Sequence, residues 1–169
     1  MQERGAAPTL SGRGRWRAGA GRRVLVAAVV ASVVVAADQA TKTWAVDRLS
    51  RGPVHVVGTL DLMLQHNSGS AFSLAQGQGP LLAVVAVVLL GVLAVAIARS
   101  PSTGVAGALG LVAGGAMGNL ADRLFRSDHG AVIDFIALHF WPTFNVADAC
   151  IVVGAIATAG VVWRGHPER

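Results

Sequence analysis

Asp134 and Asp148 are the residues of this chain whose type and position best suit catalysis. Asp148 opens an apolar stretch, and Asp134 is predicted in the short loop before it, which can fold back beside it. Two carboxyl groups held close together away from solvent cannot both ionise easily, because repulsion and desolvation each raise the proton affinity. Such an aspartate pair keeps one proton, so it can accept a proton from water while it donates another to a scissile amide. The pair therefore predicts peptide hydrolysis without a metal ion or a covalent intermediate.

The sequence carries no pattern for other common catalytic chemistries. It contains neither a His-Glu-x-x-His motif nor a Gly-x-Ser-x-Gly turn, and its five histidines are scattered. The single cysteine, Cys150, lies inside an apolar stretch, which excludes an internal disulfide and a cysteine-based metal site. No glycine-rich phosphate loop precedes a helix. We therefore predict that the protein uses no cofactor and no metal.

Four apolar stretches must position these side chains. Only 14% of the 169 residues are charged and 53% are hydrophobic, whereas soluble domains carry about 25% charged residues. Each stretch approaches the ~20 residues that a helix needs to cross a bilayer, and backbone amides in lipid must be satisfied within the helix. The sequence therefore predicts an all-α integral membrane domain over residues 23–164. Its four transmembrane helices are predicted at residues 24–44, 81–98, 104–120 and 146–163.

The basic residues predict the orientation of these helices. Nine of the fourteen Lys and Arg residues fall in the N-terminal segment, the loop at Arg99 and the C-terminal tail, which places both termini in the cytoplasm. The net charge of +5 is therefore an orientation signal, and no nucleic-acid partner is predicted. The Arg- and Gly-rich segment 1–22 is predicted to be a disordered cytoplasmic arm, and residues 165–169 a cytoplasmic tail. Trp44 and Trp141 would mark the outer interface, and Trp163 the inner one.

In this topology, further polar side chains reach the same outer face as the aspartate pair. A carboxylate at a helix end in lipid costs on the order of 3 kcal/mol, so such residues usually face the bundle interior and mark function. The cytoplasmic halves of the helices are almost free of ionisable groups. One polar site just below the outer surface is predicted. Its further residues are Asp38, Lys42, Asn119, Asp122, Arg123 and Asn145.

Two other local features complete the predicted fold. Residues 54–74 alternate between apolar and polar over part of their length, which predicts a small extracytoplasmic β element at about 52–75. Gly110, Gly114 and Gly118 recur at a spacing of four in the third helix, which predicts close packing against a neighbouring helix.

Simpler interpretations of the same residues stay open. The first helix could be a secretory signal peptide cleaved before Asp38, although its apolar pattern continues beyond that residue. Asp148 with Asn145 could only cap a helix, and Asp122 with Arg123 could be only a local ion pair. Two other classes of function also remain. A small transporter could use Asp38, Asp134 and Asp148 as a proton relay, and a non-catalytic assembly subunit could dock through its glycine-lined helix.

Over residues 24–163 the sequence resembles the lipoprotein signal peptidase family, also called signal peptidase II, the membrane aspartic peptidases of bacteria. Each motif alone is weak, but five of them occur in the family's order on a four-helix scaffold. Ser70 stands where the family often has alanine. The five motifs are DQATK at 38–42, NSGSAF at 67–72, GNLADR at 118–123, GAVIDF at 130–135 and FNVAD at 144–148.

The resemblance implies a role for each residue of the site. It makes Asp134 and Asp148 the catalytic pair, and it places Asp38 and Lys42 in support of the edge of the site. Asp122 would pair with Lys42 or with Arg123. The residues that would line the site and bind or orient substrate are Asn67, Asn119, Arg123 and Asn145.

The resemblance also implies a substrate and a location. The substrate would be a diacylglyceryl-modified prolipoprotein, cut just before its lipidated cysteine. The enzyme would be a monomer in the bacterial cytoplasmic membrane, in contact with membrane lipid, with its active site near the outer face.

Overall fold

The computed structural model describes residues 11–68, 79–126 and 130–164, which form four long helices and a small antiparallel sheet. A π-helical turn, here called the π turn, directly follows the third helix and covers Asp122–Arg126. The helices are α1 (Ser11–Leu49), α2 (Gly79–Arg99), α3 (Thr103–Ala121) and α4 (Val146–Arg164). The strands are β1 (Val54–Val57), β2 (Leu60–Asn67), β3 (Val132–Leu138) and β4 (Trp141–Phe144).

The prediction of four transmembrane helices is confirmed. Each helix contains a segment long and apolar enough to cross a membrane: Gly19–Leu49, Pro80–Arg99, Thr103–Arg126 and Val146–Trp163. The third segment is the central one, because half of it is buried and α3 packs against all three other helices. α1 runs without a break through the position at which a signal peptide would have been cleaved.

α1 begins earlier than the sequence predicts. Residues 11–22 form its first turns, whereas the sequence predicts disorder over residues 1–22. Residues 11–22 contain four arginines and two alanines, which favour helix, and four glycines, which oppose it. A helix that is already nucleated in the membrane extends at little cost, which accounts for the added turns. The remainder of that segment, residues 1–10, and the tail 165–169 lie outside the described residues.

The predicted close packing of the glycine-rich helix is confirmed. A Cβ atom added at Gly110 would lie 2.8 Å from the carbonyl oxygen of Ala27 on α1, and one at Gly114 would lie 2.8 Å from that of Ala31. The backbones of α1 and α3 are therefore in direct contact, which only glycine permits at these positions. On a neighbouring face of α3, Gly115 approaches Ala147 of α4 in the same way.

The four strands form one antiparallel sheet in the order β1-β2-β3-β4. β1 and β2 confirm the predicted β element within its described part, whereas residues 69–75 lie outside the description. β3 and β4 were not expected, and Asp134, which the sequence places in a loop, lies on β3. The first four residues of β3 are all buried. The strand therefore lacks the apolar and polar alternation by which a half-buried strand is recognised.

The sheet packs on the end of the bundle at which α1 ends and α4 begins, here called the sheet end. Leu62 of β2 and Phe135 of β3 pack with Ala45 and Leu49 of α1. The ring of Trp44 meets that of Phe135 edge-on, with centroids 6.4 Å apart. These contacts hold β3 against the end of α1.

Candidate active site

Asp134 lies on β3 and is almost fully buried, with 1% of its surface exposed. The strand follows Gly130, whose φ of 71° belongs to the left-handed region that favours glycine. The Asn67 amide donates to Oδ2 of Asp134 at 2.9 Å, and the Asn145 amide donates to Oδ1 at 2.7 Å. Burial, with the nearby charge of Asp148, raises the pKa of Asp134 to about 6 despite both hydrogen bonds. The buried strand thus supplies a carboxyl group that holds its proton into mildly acidic pH.

Asp148 lies in the first turn of α4 and is partly exposed. Its backbone amide donates to Oδ1 of Asn145 at 2.9 Å, and Oδ2 of Asp148 accepts from the Asn145 backbone amide at 3.2 Å. This reciprocal pair is a helix capping box, so the capping interpretation is correct for these residues. The amide of Asn119 donates to the other oxygen, Oδ1, at 2.8 Å. Capping therefore also fixes the direction in which the Asp148 carboxyl group points.

Asn119 and Asn145 connect the two members of the aspartate pair. The side-chain amide of Asn145 is fully buried and donates to Oδ1 of Asn119 at 3.1 Å as well as to Asp134. It also lies 3.2 Å from the carbonyl oxygen of Ile133. Because Asn119 in turn binds Asp148, both carboxyl groups belong to one hydrogen-bonded network. The network holds them on the same side of the bundle, at the sheet end.

Lys42 forms the buried centre of a second cluster beside the aspartate pair. Its ammonium group lies 2.8 Å from Oδ2 of Asp38 and 2.8 Å from Oδ2 of Asp122, and it donates to Oδ1 of Asn119 at 2.9 Å. Lys42, Asp38 and Asp122 have no exposed side-chain surface. All three ammonium hydrogens thus have partners, and Asn119 joins this cluster to the aspartate pair.

Asp122 pairs with Lys42, one of the two alternative partners that the resemblance implied, and it also has a second cationic partner. The ion pair with Lys42 is present, but its second cation is Arg126, whose Nε lies 3.3 Å from Oδ1 of Asp122. Arg123 does not take this place, because neighbouring residues of a helix point in different directions whereas residues four apart share a face. The π turn therefore directs Arg126, not Arg123, to Asp122.

The two buried carboxylates beside Lys42 also bind backbone groups next to the aspartate pair. Oδ1 of Asp38 accepts from the backbone amide of Ala147 at 3.0 Å, one residue before Asp148. Oδ2 of Asp122 accepts from the backbone amide of Ile133 at 3.1 Å, one residue before the other aspartate. The cluster around Lys42 thereby fixes the backbone on which each member of the pair is carried.

Arg123 has hydrogen-bonding capacity that the described residues do not use. Its guanidinium donates to the backbone carbonyl of Asn119 at 3.3 Å. Its Nε is buried and has no partner among residues 11–68, 79–126 and 130–164. The positive charge of Arg123 lies in the electrostatic field of three carboxylates, those of Asp122, Asp134 and Asp148.

Sequence reasoning missed several polar contacts at the sheet end. Gln39 and Arg126 belong to the buried network, and the spacing of four residues between Asp122 and Arg126 was an available signal. On the exposed surface of the sheet, His139 and His55 both bind the carboxylate of Asp61, at 3.0 and 2.7 Å, and hold the pKa of Asp61 below its usual range. Within the described part of the chain, no three His, Cys, Asp or Glu side chains are arranged to hold a metal ion.

An apolar groove of about 340 Å³ leads to the aspartate pair along α4. Its walls are the turn between β3 and β4 and the side of α4 that carries the exposed Val152 and Val153. Because these valines belong to a transmembrane segment, the groove opens toward lipid. The residues lining it are Leu138, Phe140, Trp141, Phe144, Asp148, Ala149, Val152 and Val153.

A bundle of four membrane-spanning helices that buries acidic, basic and amide side chains around two linked carboxyl groups is the architecture of an integral membrane enzyme. A family model described as signal peptidase (SPase) II matches residues 30–164. The chain belongs to the signal peptidase II family, and it is therefore a membrane peptidase.

Individual relatives agree with this assignment, and a solved structure agrees with the fold. A protein of Rhodococcus jostii (strain RHA1) named lipoprotein signal peptidase is 46% identical over 142 residues, which cover 80% of this chain and 71% of that protein. One of the same name from Mycobacterium avium (strain 104) is 43% identical over 141 residues, covering 80% of this chain and 77% of the relative. A solved structure described as a bacterial membrane enzyme shares the fold, with a TM-score of 0.71 at 23% identity over 85% of this chain and 92% of that one.

Proposed function

We propose that this protein is an aspartic endopeptidase that removes the signal peptide from diacylglyceryl-modified prolipoproteins, cleaving just before the lipidated cysteine. The observation that carries the proposal is the linkage of Asp134 and Asp148 through Asn119 and Asn145. The relatives named lipoprotein signal peptidase support the substrate class. The remaining residues of the site have supporting roles that follow from their contacts.

In the proposed reaction the aspartate pair carries one proton and one negative charge. Asp148 accepts a proton from a water molecule, whose oxygen attacks the carbonyl carbon of the scissile peptide. Asp134 donates its proton to the amide nitrogen, the C–N bond breaks, and the pair is left with one proton again, now on Asp148. The raised pKa of Asp134 supports this assignment of the acid, although the titration belongs to the two groups together.

Arg123 is the proposed partner of the substrate carbonyl. The tetrahedral intermediate carries negative charge on the former carbonyl oxygen, and a pre-oriented cationic donor in a water-poor site stabilises that charge strongly. The buried Nε of Arg123, without a partner among the described residues, supplies such a donor. Asn67 and Asn145 would keep Asp134 oriented while the substrate enters.

The apolar groove at Asp148 supports a lipid-modified substrate. Alkyl chains attached next to the scissile bond could lie in this groove and remain continuous with the bilayer, since its far wall is the lipid-facing side of α4. Phe140 and Trp141 are largely exposed at its edge, which is typical of aromatic residues at a membrane interface. An unmodified peptide would leave the groove empty.

The contacts of Asp38 disfavour a proton relay. Asp38 is paired with Lys42 through one oxygen and hydrogen-bonded to the backbone of Ala147 through the other, so both of its oxygens already have structural partners. An assembly subunit would not need a catalytic geometry around the aspartate pair. The nine predicted site residues all lie within one chain, which supports a monomer whose partners are its substrate and membrane lipid.

The experiment that tests the function is cleavage of a synthetic precursor by the purified protein in lipid. A peptide that carries a diacylglyceryl-modified cysteine is expected to be cut before that cysteine, whereas the same peptide without the lipid is expected to be cut at least about tenfold more slowly. Mass spectrometry of the products identifies the bond. Equal cleavage of both peptides, or of neither, would contradict the proposal.

The orientation of the bundle is proposed from the distribution of Lys and Arg. With both termini in the cytoplasm, the sheet end and its aspartate pair face the outer side of the bacterial cytoplasmic membrane. A reporter enzyme fused after Arg99 is expected to be active in the cytoplasm, and one inserted near Ser127 is expected to be active outside. The reverse pattern would overturn the orientation and leave the peptidase assignment untouched.

The pH dependence of cleavage should report the proton on the aspartate pair. We expect kcat/KM to fall as the pH rises above about 6, because Asp134 then loses the proton that the leaving nitrogen requires. Asn67 stabilises the ionised carboxylate, so Asn67→Ala should raise this pKa and move the descending limb to higher pH. The free energy of unfolding should also fall as the pH rises. The stabilising contribution of Asp134 is fully present below pH 3.8, the pKa of the unfolded chain, and is lost as the pH rises through about 6, the pKa in the folded protein.

The control for this pH profile is Asp61→Asn, which removes a carboxylate outside the network. Its descending limb should coincide with that of the wild type. A limb that stays in place in Asn67→Ala would mean that a group other than Asp134 controls the rate.

A further inference from the structure

Arg126 ends the π turn and ties it to α1 through its guanidinium group. One terminal nitrogen donates to Oε1 of Gln39 at 2.9 Å and to Oγ1 of Thr43 at 3.1 Å, both on α1. Its Nε faces Oδ1 of Asp122 at 3.3 Å. Three quarters of the Arg126 side chain is buried, although it does not touch the aspartate pair. Rigid guanidinium geometry suits this kind of fixed, multiple contact.

Gln39 completes the link between Arg126 and Asp122. Its side-chain oxygen accepts from Arg126, so its amide nitrogen is directed to the other side. That nitrogen donates to Oδ1 of Asp122 at 3.0 Å and to the backbone carbonyl of Gly118 at 3.1 Å. Arg126 and Gln39 therefore hold the same oxygen of Asp122 from two directions.

The other oxygen of Asp122 determines where β3 lies. Oδ2 accepts from the backbone amide of Ile133, the residue before Asp134, and also binds Lys42. If Oδ1 of Asp122 lost the contacts that hold it, the Asp122 carboxylate could rotate about its side-chain bonds. The backbone of β3 at Ile133 would then lose a fixed hydrogen-bond acceptor. A displacement of about 1 Å at a reacting group can reduce a rate about a hundredfold.

We propose that Arg126 is a positioning residue for hydrolysis: through Gln39 and Asp122 it fixes the backbone of Ile133 and hence the place of Asp134. The proposal rests on the proposed function, because its effect is measured on that reaction. Arg126 lies outside the five motifs that carry the family resemblance. π-helical turns occur frequently at functional sites, which agrees with this role for the turn that Arg126 ends.

Arg126 also contributes to the charge balance of the buried site. With one proton on the aspartate pair, the site contains three positive and three negative charges, which is the neutral count that a poorly solvated cluster favours. Loss of one cation should strengthen proton binding by the carboxyl groups that remain. The cations are Lys42 on α1 with Arg123 and Arg126 on the π turn, and the anions are Asp38 on α1, Asp122 on the π turn and the pair Asp134 and Asp148 on β3 and α4.

The test compares Arg126→Gln and Arg126→Lys with the exposed control Arg51→Gln, using the full-length protein in lipid and the lipid-modified precursor. Arg126→Gln should lower kcat about tenfold to a hundredfold with KM nearly unchanged, because the substrate is not contacted. Its descending pH limb should move to higher pH. Arg126→Lys keeps the positive charge but loses the planar guanidinium group that makes several contacts at once. It should therefore lower kcat by a smaller factor and leave the descending limb of the pH profile in place. Arg51→Gln should match the wild type.

The outcomes separate this proposal from the proposed function. If the wild type cleaves and Arg126→Gln retains its kcat and pH limb, or merely melts at a lower temperature, Arg126 has no positioning role. If Arg126→Gln does not fold, Arg126→Lys decides the question, and a kcat equal to that of the wild type overturns the proposal. If the wild type does not cleave the precursor, the proposed function fails and the role of Arg126 fails with it.

Discussion

Replacing either Asp134 or Asp148 with asparagine is expected to lower kcat for the lipid-modified precursor by about a thousandfold or more. Each substitution removes a group that transfers a proton in the proposed reaction, and general acid or base catalysis alone contributes about a hundredfold to ten-thousandfold. The two groups act as a unit, so the double variant should be no slower than the slower single variant. The measurement is single-turnover cleavage by the purified protein, with cleaved product quantified by mass spectrometry.

The matched control is Asp47→Asn, an identical change at an exposed carboxylate of α1. It should cleave like the wild type. Asparagine has nearly the shape of aspartate, but both oxygens of Asp134 and of Asp148 accept hydrogen bonds, so the new amide nitrogen would face a donor. The two variants should therefore fold with a somewhat lower melting temperature, whereas that of Asp47→Asn should match the wild type. Substantial cleavage by both Asp134→Asn and Asp148→Asn would show that the reaction does not use this pair.

Lys42→Met should be the most destabilising single substitution in the buried network. The ammonium group lies between two carboxylates that have no exposed surface, and methionine would leave both of them without their shared counter-ion. Removing one partner from a buried ion pair typically costs about 3 to 5 kcal/mol of folding free energy. Thermal unfolding of the purified protein in lipid or detergent measures the loss, together with the amount of folded protein recovered.

Two further variants identify the cause of this loss. Arg48→Met removes a cation from the exposed surface of α1 and should leave the melting temperature nearly unchanged. Adding Asp38→Asn to Lys42→Met removes one of the unpaired charges, so the double variant should be more stable than Lys42→Met alone. If Lys42→Met has the same melting temperature as Arg48→Met, the buried cluster does not stabilise the fold as its geometry indicates.

Periodicity and composition were sufficient to predict the four helices, because each apolar stretch is long and nearly uninterrupted. Glycine spacing likewise predicted that α3 packs closely against a neighbouring helix, because small residues at that interval let two backbones approach, but it did not indicate that the neighbour is α1. β3 could not be predicted in this way. Ile133 and its neighbours are covered on both faces, so their pattern differs little from that of a short buried helix or loop.

The nine predicted site residues lie in one connected region, but their partners could not all be read from the sequence. Asn145 was recognised as a possible helix cap, and the structure adds that its amide also reaches Asp134. The bond from Ala147 to Asp38 joins residues far apart in the chain and involves a backbone donor, so residue types give no sign of it. The catalytic roles of these residues stay predictions until the variants are measured.

The contact between Gly118 and Asp38 restricts how this enzyme can change during evolution. A methyl group at position 118 would lie 2.6 Å from Oδ2 of Asp38, whose other oxygen holds the backbone of Ala147 at the start of α4. Even the smallest side chain there would disturb three helices at once. A side chain at position 118 is therefore expected to be accepted only together with a shift of Asp38 or a change in its neighbours.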